Sequence, residues 1–587
     1  AGGRGTGQGA ESVSAASVPM LVRLPAWRAR FAIAALLAAF LVLVGRSVYL
    51  QSVNTGFLQG KGEARYSRVL EVPATRGRVV DRNGEALAIS TPVKSVWAIP
   101  EDVSATPAQL KSLAALLSLD PRELGRRLSA AEREFVYLKR QIPPEAAAGV
   151  AELGIPGIHQ QSEFRRYYPG GETMAHVIGF TGVDDAGQEG IELAQQAVLA
   201  GAAGSRRVIK DRLGRIVEDV ESIRAAQDGR DLTLALDSKI QNLAFGALKA
   251  AVEAHKAKAG AIVVLDVRTG EVLALANMPS YNPNNRARLT GAQLRNRVMT
   301  DTFEPGSTLK PFTVGLAIET GRITPQTLIQ TAPGLLTIAN YTIHDAHPGG
   351  AMTVAQVIQK SSNVGAAKIA LALPREEMHD LFKRVGFGAA PRLGFPGEAV
   401  GKVREAKTWR PVEQATMAYG HGISVSLIQL ARAYTVFARD GDLAPLSLLK
   451  TGAPAAGQRV FSPEVARALR DMLESAVQPG GTAPRARIVG WRVGGKTGTA
   501  HKQENGGYAA HKYVSSFVGF APVSDPRLVI AVMLDEPSGG QYYGGQVAAP
   551  VFSQVMQGAL RLLGAPYDAP LSPIELPGEG DEAKENT

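Results

Sequence analysis

The stretch AIVVLDVRTGEVLALANM, Ala261 to Met278, decides the fold of the larger part of this 587-residue chain. Two apolar runs flank a Thr-Gly pair, which predicts a strand, a tight turn and a second strand. The stretch SFVGFAPVSDPRLVIAVMLDEP, Ser516 to Pro537, repeats that design around Asp525 and Pro526. The chain between the two stretches has a mostly helical pattern. Strands from both ends of a segment that enclose helices predict one antiparallel sheet with helices packed on its faces.

The composition is that of a globular protein with room for several domains. Hydrophobic residues make up 45% and charged residues 20%, so the chain can bury a full core. The 64 Lys and Arg against 54 Asp and Glu give a net charge of +10. These basic residues are scattered without interleaved aromatics, which argues against nucleic acid as a partner. The absence of cysteine excludes disulfides, a thiolate nucleophile and cysteine-based zinc sites.

Near the N-terminus, FAIAALLAAFLVLVG, Phe31 to Gly45, is an unbroken apolar run. Extended to Leu50, it reaches the ~20 residues that a membrane-spanning helix needs, which predicts an anchor over residues 31–50. A cleaved signal peptide is the alternative, but the Gly-Arg-Ser that ends the run matches a cleavage site poorly. Positive charge before the run places residues 1–30 in the cytoplasm and the chain after it outside.

The rest of the chain divides in two. Residues 51–226 have an irregular pattern of short strands, and residues 227–565 contain the predicted sheet with its helices. Residues 1–19, rich in Gly, Ala and Ser before the first Met, are treated as an upstream or added segment. The Pro-rich and then acidic tail, residues 566–587, is predicted to be disordered.

The clearest local signal in the irregular region is RGRVVDRNGEALAIS, Arg76 to Ser90. Valines before an Asn-Gly pair, Asn83 and Gly84, and alternating apolar residues after it predict a β-hairpin with a type I′ turn. From these residues alone the hairpin has no further role.

Within the helical middle, EPGSTLKPFTVGLAIETG places Ser307 and Lys310 three residues apart at the start of an apolar helix. The positive end of the helix dipole disfavours a protonated amine there, as a general base for a serine hydroxyl requires. Unpaired backbone N–H groups at the same helix end can stabilise an oxyanion. An N-cap role for Ser307 stays open, because about one or two S-x-x-K matches are expected by chance in a chain of this length.

Two further motifs follow. KSSNVG contains Ser361 and Asn363, and VGGKTGTA contains Lys496, Thr497 and Thr499 on a predicted strand. Separately, they could be a polar helix start and a glycine-containing edge strand. In the order S-x-x-K, S-x-N, K-T-G they predict a nucleophile with its base, a proton relay with an amide donor, and a cationic strand for a carboxylate. No zinc spacing such as H-E-x-x-H occurs, so neither a metal nor another cofactor is expected.

With these motifs the chain resembles the class B penicillin-binding proteins, from the anchor to about Leu563. RGRVVDRNGEALA, YYPGGETMAHVIGFTG and GQEGIE resemble the motifs of that class's non-catalytic pedestal domain. The resemblance implies an α+β protein with an N-terminal transmembrane helix, an elongated β-rich pedestal domain and a C-terminal transpeptidase domain of the penicillin-binding/β-lactamase-like fold. EPGSTLKP, AYGHGISVSLIQLARAYTVFARDG and YYGGQVAAPVF are similar to the division-specific branch of class B.

The resemblance also implies an activity, the cross-linking of peptidoglycan stem peptides through an acyl-enzyme. It implies Ser307 as nucleophile, Lys310 as general base, Ser361 as proton relay, Asn363 as ligand of the donor's amide, and Lys496, Thr497 and Thr499 as ligands of its carboxylate. The backbone N–H groups of Ser307 and Thr499 would form the oxyanion hole.

The implied partners are donor and acceptor stem pentapeptides, β-lactams, the membrane, a glycan-polymerising synthase and other division proteins. The implied location is the inner membrane, with a single pass and the catalytic domain in the periplasm. Four alternatives stay open: an elongation-specific class B transpeptidase, a β-lactamase-like hydrolase, a β-lactam-binding sensor and a structural scaffold with an inactive site. The intact motifs argue against the scaffold.

Overall fold

The structure, a computed structural model, describes residues 26–53, 67–129, 135–210, 216–454, 456–504 and 507–574. The chain divides into two compact units, Ala1–Glu71 with Ser205–Arg224 and Val72–Gly204 with Ala225–Thr587. The predicted division between pedestal and transpeptidase domains at residue 226 stays a prediction, because the second unit contains most of both.

The strands in chain order are β1 Ser67–Val72, β2 Val79–Val80, β3 Ala86–Ala98, β4 Val136–Ile142, β5 Ile158–Tyr167, β6 Gly204–Lys210, β7 Ile216–Arg224, β8 Leu232–Thr233, β9 Ala259–Asp266, β10 Val272–Met278, β11 Thr302–Phe303, β12 Leu328–Gln330, β13 Leu335–Ile338, β14 Tyr341–His344, β15 Ala351–Thr353, β16 Val425–Ser426, β17 Asp442–Leu443, β18 Gln458–Arg459, β19 Gly494–Glu504, β20 Gly507–Ala521 and β21 Leu528–Asp535.

The α-helices are α1 Ala26–Val48, α2 Pro107–Leu116, α3 Pro121–Leu128, α4 Pro144–Glu152, α5 Gly171–Ile178, α6 Gly190–Ala194, α7 Gln196–Leu199, α8 Ser238–Ala254, α9 Gly291–Leu294, α10 Arg297–Thr300, α11 Lys310–Glu319, α12 Val354–Gln359, α13 Asn363–Leu371, α14 Arg375–Arg384, α15 Pro411–Met417, α16 Leu427–Ala438, α17 Pro463–Ser475, α18 Gly544–Val547 and α19 Ala549–Leu562. Short 3₁₀ helices are Pro100–Asp102, Gly306–Leu309, Ala406–Thr408 and Pro484–Ala486, and Tyr49–Val53 is a π-helical turn.

In the first unit, the apolar run forms the long helix α1. The span Ala26–Gln51 has a mean hydropathy of 2.3, is not buried, and is long enough to cross a membrane. The helix begins at Ala26, before the predicted start at Phe31, so Arg28 and Arg30 belong to its first turns. Its length and composition suit the predicted anchor. The same unit contains a small sheet with the strand order β1-β6-β7.

In the second unit, the pedestal region is built on a sheet with the order β4-β3-β2-β8, and β5 pairs with β3. The long strand β3 is antiparallel to β5, from Ile89 opposite Tyr167 to Ala98 opposite Ile158. Apolar residues of β3 and β4 pack with α2, α3 and α4 in a separate hydrophobic cluster. The region is therefore β-rich, as predicted, and has its own small core.

The predicted hairpin is present between β2 and β3, but its turn is not type I′. Of the pair Asn83 and Gly84, only Gly84 has a positive φ, +90°, and its N–H donates to Asp81 O at 3.1 Å. This is a type I turn followed by a left-handed glycine. The Asp81 carboxylate accepts hydrogen bonds from Asn83 N and Glu85 N, each at 2.8 Å, and these stabilise the longer loop.

The same turn contacts the start of the transpeptidase region. Ser238 donates from N and Oγ to Asp81 Oδ2 at 3.1 and 2.9 Å, and Asn83 Nδ2 donates to Asp237 Oδ2 at 3.1 Å. Burial raises the pKa of Asp81, but hydrogen bonds from backbone N–H groups and from Ser238 outweigh this and lower it. The hairpin thus has a docking role that its local sequence did not indicate.

Two motif segments of the pedestal region and the strand β5 meet at a buried ion network. Arg76 Nε donates to Glu192 Oε2 and Arg166 Nε donates to Glu192 Oε1, both at 2.6 Å. The three side chains are at most 1% exposed. Arg76 Nη1 also donates to Gln196 Oε1 at 2.9 Å and to Asp185 O at 3.0 Å. The carboxylate therefore neutralises guanidinium groups from two segments that lie far apart in sequence.

The transpeptidase region contains one antiparallel five-stranded sheet with the order β10-β9-β21-β20-β19. Strands from the two ends of this region are adjacent, since β9 pairs with β21. Alternate residues of β9 enter different cores: Val263 and Leu265 join one cluster, whereas Ile262 and Val264 join another with α8 and α19. Both faces are therefore covered by helices, and the predicted fold class is confirmed.

The predicted tail from residue 566 begins with ordered contacts. Trp491 Nε1 donates to Pro566 O at 2.9 Å, and Tyr567 lies 4.5 Å from the Trp491 ring, centroid to centroid. Asp568 accepts from Arg492 N at 2.7 Å. Pro566, Tyr567 and Asp568 therefore contact the domain. The predicted disorder of the tail stays a prediction, and residues 575–587 lie outside the described residues.

Candidate active site

Ser307 lies in the 3₁₀ helix Gly306–Leu309, which continues directly into α11. The sequence analysis placed Ser307 and Lys310 in the first turn of one α-helix, but only Lys310 belongs to the α-helix. Side chains three residues apart eclipse in a 3₁₀ helix, so this geometry brings the pair together. Lys310 Nζ donates a hydrogen bond to Ser307 Oγ at 2.8 Å.

The lysine connects Ser307 to Ser361. Ser361 has a φ of +58°, in the left-handed region that costs a non-glycine residue about 1–3 kcal/mol. In this conformation both its oxygens accept hydrogen bonds from Lys310 Nζ, the carbonyl at 2.6 Å and Oγ at 2.9 Å. Lys310 is fully buried, and Ser307 and Ser361 are 6% and 7% exposed. The two hydroxyls and the amine form one connected network.

The rest of the KSSNVG motif is held by the chain after β14. Ser362 caps α13, because its side-chain oxygen accepts from Gly365 N. For this residue, the alternative that KSSNVG is a polar helix start is therefore correct. Its Oγ also donates to Asp345 Oδ2 at 2.7 Å. Asn363, the first residue of α13, donates from Nδ2 to His344 O at 3.2 Å. The loop around Asp345 thus fixes the turn that carries Ser361.

Lys496, Thr497 and Thr499 lie on β19, at the edge of the five-stranded sheet. Lys496 is fully buried, and its Nζ donates to Thr497 Oγ1 at 3.1 Å and to Thr482 Oγ1 at 3.4 Å. Gly544 N donates to Thr499 Oγ1 at 3.0 Å. An edge strand presents a row of backbone groups that an extended peptide can pair with.

Two glycines let the Ser307 turn lie against its neighbours. A Cβ on Gly498 would lie 2.6 Å from Pro305 O, and a Cβ on Gly420 would lie 2.3 Å from Gly306 O. Any side chain at either position would displace the turn. These glycines therefore bring β19 and the chain after α15 into contact with the segment that carries Ser307.

Residues 260–557 match the family described as the penicillin-binding protein transpeptidase domain, and residues 71–234 match the penicillin-binding protein dimerisation domain. The chain belongs to the penicillin-binding protein transpeptidase family. The resemblance inferred from the three motifs is confirmed. The match to the dimerisation domain falls on the region predicted to be the pedestal, as expected for class B.

Relatives of this penicillin-binding protein cover nearly the whole chain. The probable peptidoglycan D,D-transpeptidase PenA of Neisseria gonorrhoeae is 44% identical, over 93% of this chain and 94% of the relative. The peptidoglycan D,D-transpeptidase FtsI of Escherichia coli K12 is 41% identical, over 92% of this chain and 93% of the relative. The apo transpeptidase domain of Burkholderia pseudomallei penicillin-binding protein 3 is 52% identical, with a TM-score of 0.54, over 57% of this chain and 98% of that domain.

Sequence reasoning missed several residues that shape the site of this penicillin-binding protein. Asp345 and Thr482 each bond a motif residue from a segment with no recognisable pattern, and Gly544, which bonds Thr499, lies in the YYGGQVAAPVF stretch, for which no structural role was predicted. Gly420 lies in a stretch that was noted for its similarity to the division-specific branch, without a structural role. A lone Asp or Thr in a loop carries no local signal, since its partner is set by the fold.

A group of titratable residues surrounds Glu304, at the start of the EPGS segment. The Glu304 carboxylate accepts from Gly422 N at 2.7 Å and from Tyr508 OH at 3.1 Å. The His421 ring lies 5.9 Å from the Tyr508 ring, centroid to centroid. Burial, with electrostatic repulsion from Lys310 and His501, lowers the pKa of His421 to about 4. His421 is therefore neutral at neutral pH.

Proposed function

We propose that this protein is a serine D,D-transpeptidase that cross-links peptidoglycan stem peptides through an acyl-enzyme on Ser307. The observation that carries the proposal is the hydrogen-bond network of Ser307, Lys310 and Ser361 beside the edge strand β19. A serine, a buried amine and a second hydroxyl in contact are the parts that acyl transfer needs. The names of the relatives, peptidoglycan D,D-transpeptidases, support the same activity.

In the first step, Ser307 attacks the carbonyl of the penultimate D-alanine of a donor stem. Lys310, as the neutral amine, takes the proton from Oγ while the Oγ–C bond forms. The oxyanion is stabilised by the backbone N–H groups of Ser307 and Thr499. The C–N bond to the terminal D-alanine then breaks, and Ser361 passes the proton from Lys310 to the departing amine.

Donor binding falls to the residues around this network. Lys496, Thr497 and Thr499 bind the terminal carboxylate, for which an ammonium flanked by hydroxyls is suited. Asn363 binds the amide of the donor, and the edge of β19 aligns its backbone. The support is that Lys496 and both threonines share one hydroxyl-rich stretch of strand.

In the second step, an amine of a neighbouring stem attacks the ester and releases Ser307, which joins two glycan strands. β-Lactams mimic the D-Ala-D-Ala terminus and acylate Ser307 in place of the donor. The absence of a strong hydrolytic base among the motif residues favours transfer to an amine over a β-lactamase-like hydrolysis.

The reaction takes place outside the cytoplasmic membrane, at the division septum. Helix α1 anchors the chain with a single pass, residues before it lie in the cytoplasm and the catalytic region lies in the periplasm. Arg28 and Arg30 in the first turns of α1 support this orientation. The anchor and the pedestal region bring the enzyme to a glycan-polymerising synthase and to other division proteins. The match to a relative named FtsI supports the septal role.

Covalent labelling by fluorescent penicillin tests the assignment of the nucleophile. In detergent-solubilised full-length protein, Ser307→Ala abolishes labelling, because no other group takes its place in the network. Ser553→Ala is the matched control and labels normally, because the Ser553 hydroxyl donates to Pro550 O at 3.0 Å within α19. Mass spectrometry of the unmodified protein locates the adduct on Ser307. Retained labelling of Ser307→Ala, or an adduct on Ser361 or Ser362, would overturn the proposal.

A further inference from the structure

The turn that carries Ser307 takes its 3₁₀ form in part from its own sequence. Pro311 has no N–H, so it cannot donate to Ser307 O as the fourth residue ahead does in an α-helix. The Ser307 carbonyl accepts instead from Lys310 N, three residues ahead. Within the same turn, Thr308 Oγ1 donates to Pro305 O at 2.7 Å. Both contacts come from neighbours in the chain.

The form of this turn decides how Ser307 faces Lys310. Successive residues rotate by about 120° in a 3₁₀ helix and by about 100° in an α-helix, so side chains three residues apart are eclipsed in the first and about 60° apart in the second. The observed distance from Lys310 Nζ to Ser307 Oγ is 2.8 Å. A turn that relaxed toward the α-helix would rotate the hydroxyl away from the amine that is proposed to take its proton.

A further contact to this turn comes from α16, far away in the chain. Tyr434 OH donates to Thr308 O at 2.7 Å, across 126 residues. Tyr434 is fully buried, and none of the steps proposed above uses it. Its ring packs edge to face with Phe312 at 5.7 Å and with Phe437 at 5.2 Å, centroid to centroid. Because Phe312 belongs to α11 and Phe437 to α16, the phenol is held between the helix that follows Ser307 and its own helix.

The packing of these rings does not by itself require a hydroxyl at position 434. Phe312 and Phe437 contact two further phenylalanines, Phe387 and Phe461, so the cluster is otherwise apolar. A phenylalanine ring would fill the same place. A buried hydroxyl is unfavourable unless it has a hydrogen-bond partner, and the bond to Thr308 O offsets the cost of burying this one. The O–H of Tyr434 is therefore explained by the carbonyl that it holds.

We propose that Tyr434 is a positioning residue of the reaction, which fixes the Thr308 carbonyl and so keeps the Ser307 turn in its 3₁₀ form. The inference rests on the proposed acyl transfer through Ser307 and adds a residue that does not touch the substrate. The Thr308 carbonyl lies between Ser307 and Lys310 in the chain, so a shift of this group changes the relative orientation of the two reacting side chains.

The test measures the acylation of Tyr434→Phe by fluorescent penicillin, with the full-length protein in detergent. Rates over a range of penicillin concentrations give the maximal rate and the concentration that produces half of it. The maximal rate should fall about 10-fold or more, because small errors in the alignment of reacting groups are costly. The half-maximal concentration should change less than about 2-fold, since the proposed carboxylate ligands lie on β19 and binding is not altered.

Tyr281→Phe is the matched control. Tyr281 is also buried, at 3% exposed, and its O–H donates to a backbone carbonyl, Ala175 O, at 3.0 Å. This bond joins the loop after β10 to α5 of the pedestal region, and neither residue belongs to the Ser307 turn. The control therefore loses the same kind of bond, and both of its rate parameters should stay unchanged. Rates are referred to the total label bound, so that a partly unfolded variant does not imitate a slow one.

The outcomes separate this inference from the proposed function. An unchanged maximal rate in Tyr434→Phe overturns the positioning role alone. Equal losses in Tyr434→Phe and Tyr281→Phe, or a change confined to the half-maximal concentration, also overturn it, because neither result reflects the alignment of the nucleophile. If the unmodified protein is not acylated on Ser307, the proposed function fails and this inference fails with it.

Discussion

Lys310 Nζ lies within 2.9 Å of three oxygen atoms on two residues, Ser307 and Ser361. Three acceptors satisfy the three N–H donors of an ammonium. The neutral amine has two donors and a lone pair, and that lone pair can accept the Ser307 proton. The proposed role of Lys310 as general base therefore needs no change in the position of its side chain.

At this scale we expect Lys310→Arg to lower the rate of acylation by roughly 10²–10⁴-fold, because a guanidinium stays protonated and cannot act as a base. The rate is measured with fluorescent penicillin on the full-length protein. Lys310→Met, neutral and similar in length, separates the loss of the base from the effect of the larger arginine. Lys360→Arg, adjacent to Ser361 in the chain, is the control and should acylate normally. A normal rate in Lys310→Arg would show that another group accepts the proton.

At the scale of elements, the pedestal region depends on contacts between its loops and strands. Arg76 precedes β2, Arg166 lies on β5 and Glu192 lies on α6, and one carboxylate joins the three. Two guanidinium groups buried together repel each other unless that carboxylate is present. The RGRVV and GQEGIE motifs are therefore linked by one buried ion pair, Arg76 with Glu192.

Glu192→Gln should destabilise the protein by about 3–5 kcal/mol, since it removes the carboxylate that pairs directly with two buried guanidinium groups. The free energy of unfolding is measured by urea titration of the detergent-solubilised protein, with a signal from the pedestal region. Glu163→Gln is the control: its ion pair with Arg140 is partly exposed and should cost less than about 1 kcal/mol. Equal losses in the two variants would contradict a special role for the buried network.

At the scale of the whole molecule, strands from the two ends of the transpeptidase region form one sheet because β9 and β21 pair. This sheet has β19 at its edge, next to the Ser307 turn. The two segments lie almost 200 residues apart in the chain, and a hydrogen bond between Gln503 and Glu304 spans a similar separation, 199 residues. The N-terminal helix α1 is long enough to hold such a domain at a membrane.

We expect depletion of this protein in a rod-shaped host to block septation while the side wall continues to grow. Long filaments without septa should form, and a fluorescently tagged copy should concentrate at midcell. The measurement is cell length and tag position by microscopy, with re-expression of the intact chain as control. Rounded, swollen cells with the tag dispersed along the side wall would assign the protein to the elongation branch.

The sequence by itself determined the motifs, the sheet strands and the apolar helix, because each is a local pattern. The S-x-x-K spacing of three suits the 3₁₀ turn that carries Ser307, and the uninterrupted apolar run of β9 is that of a strand buried on both faces. Even locally, the prediction of a type I′ turn was wrong, because it considered Asn83 and Gly84 without the Asp81 side chain that accepts from the loop's N–H groups. The catalytic roles of the motif residues stay predictions until they are tested.

Only the tertiary structure decided which distant groups meet the motifs. Asp345 fixes the Ser362 turn, Thr482 bonds Lys496, and Glu192 joins Arg76 across more than a hundred residues. Glu304 becomes a buried carboxylate only because Gly422, Gln503 and Tyr508 converge on it. The physical reason is that a helix or strand period depends on neighbours in the chain. A buried hydrogen bond or ion pair depends instead on which distant segments strand pairing and helix packing bring within about 3 Å of each other. The periodicity of a local sequence does not encode which segments these are.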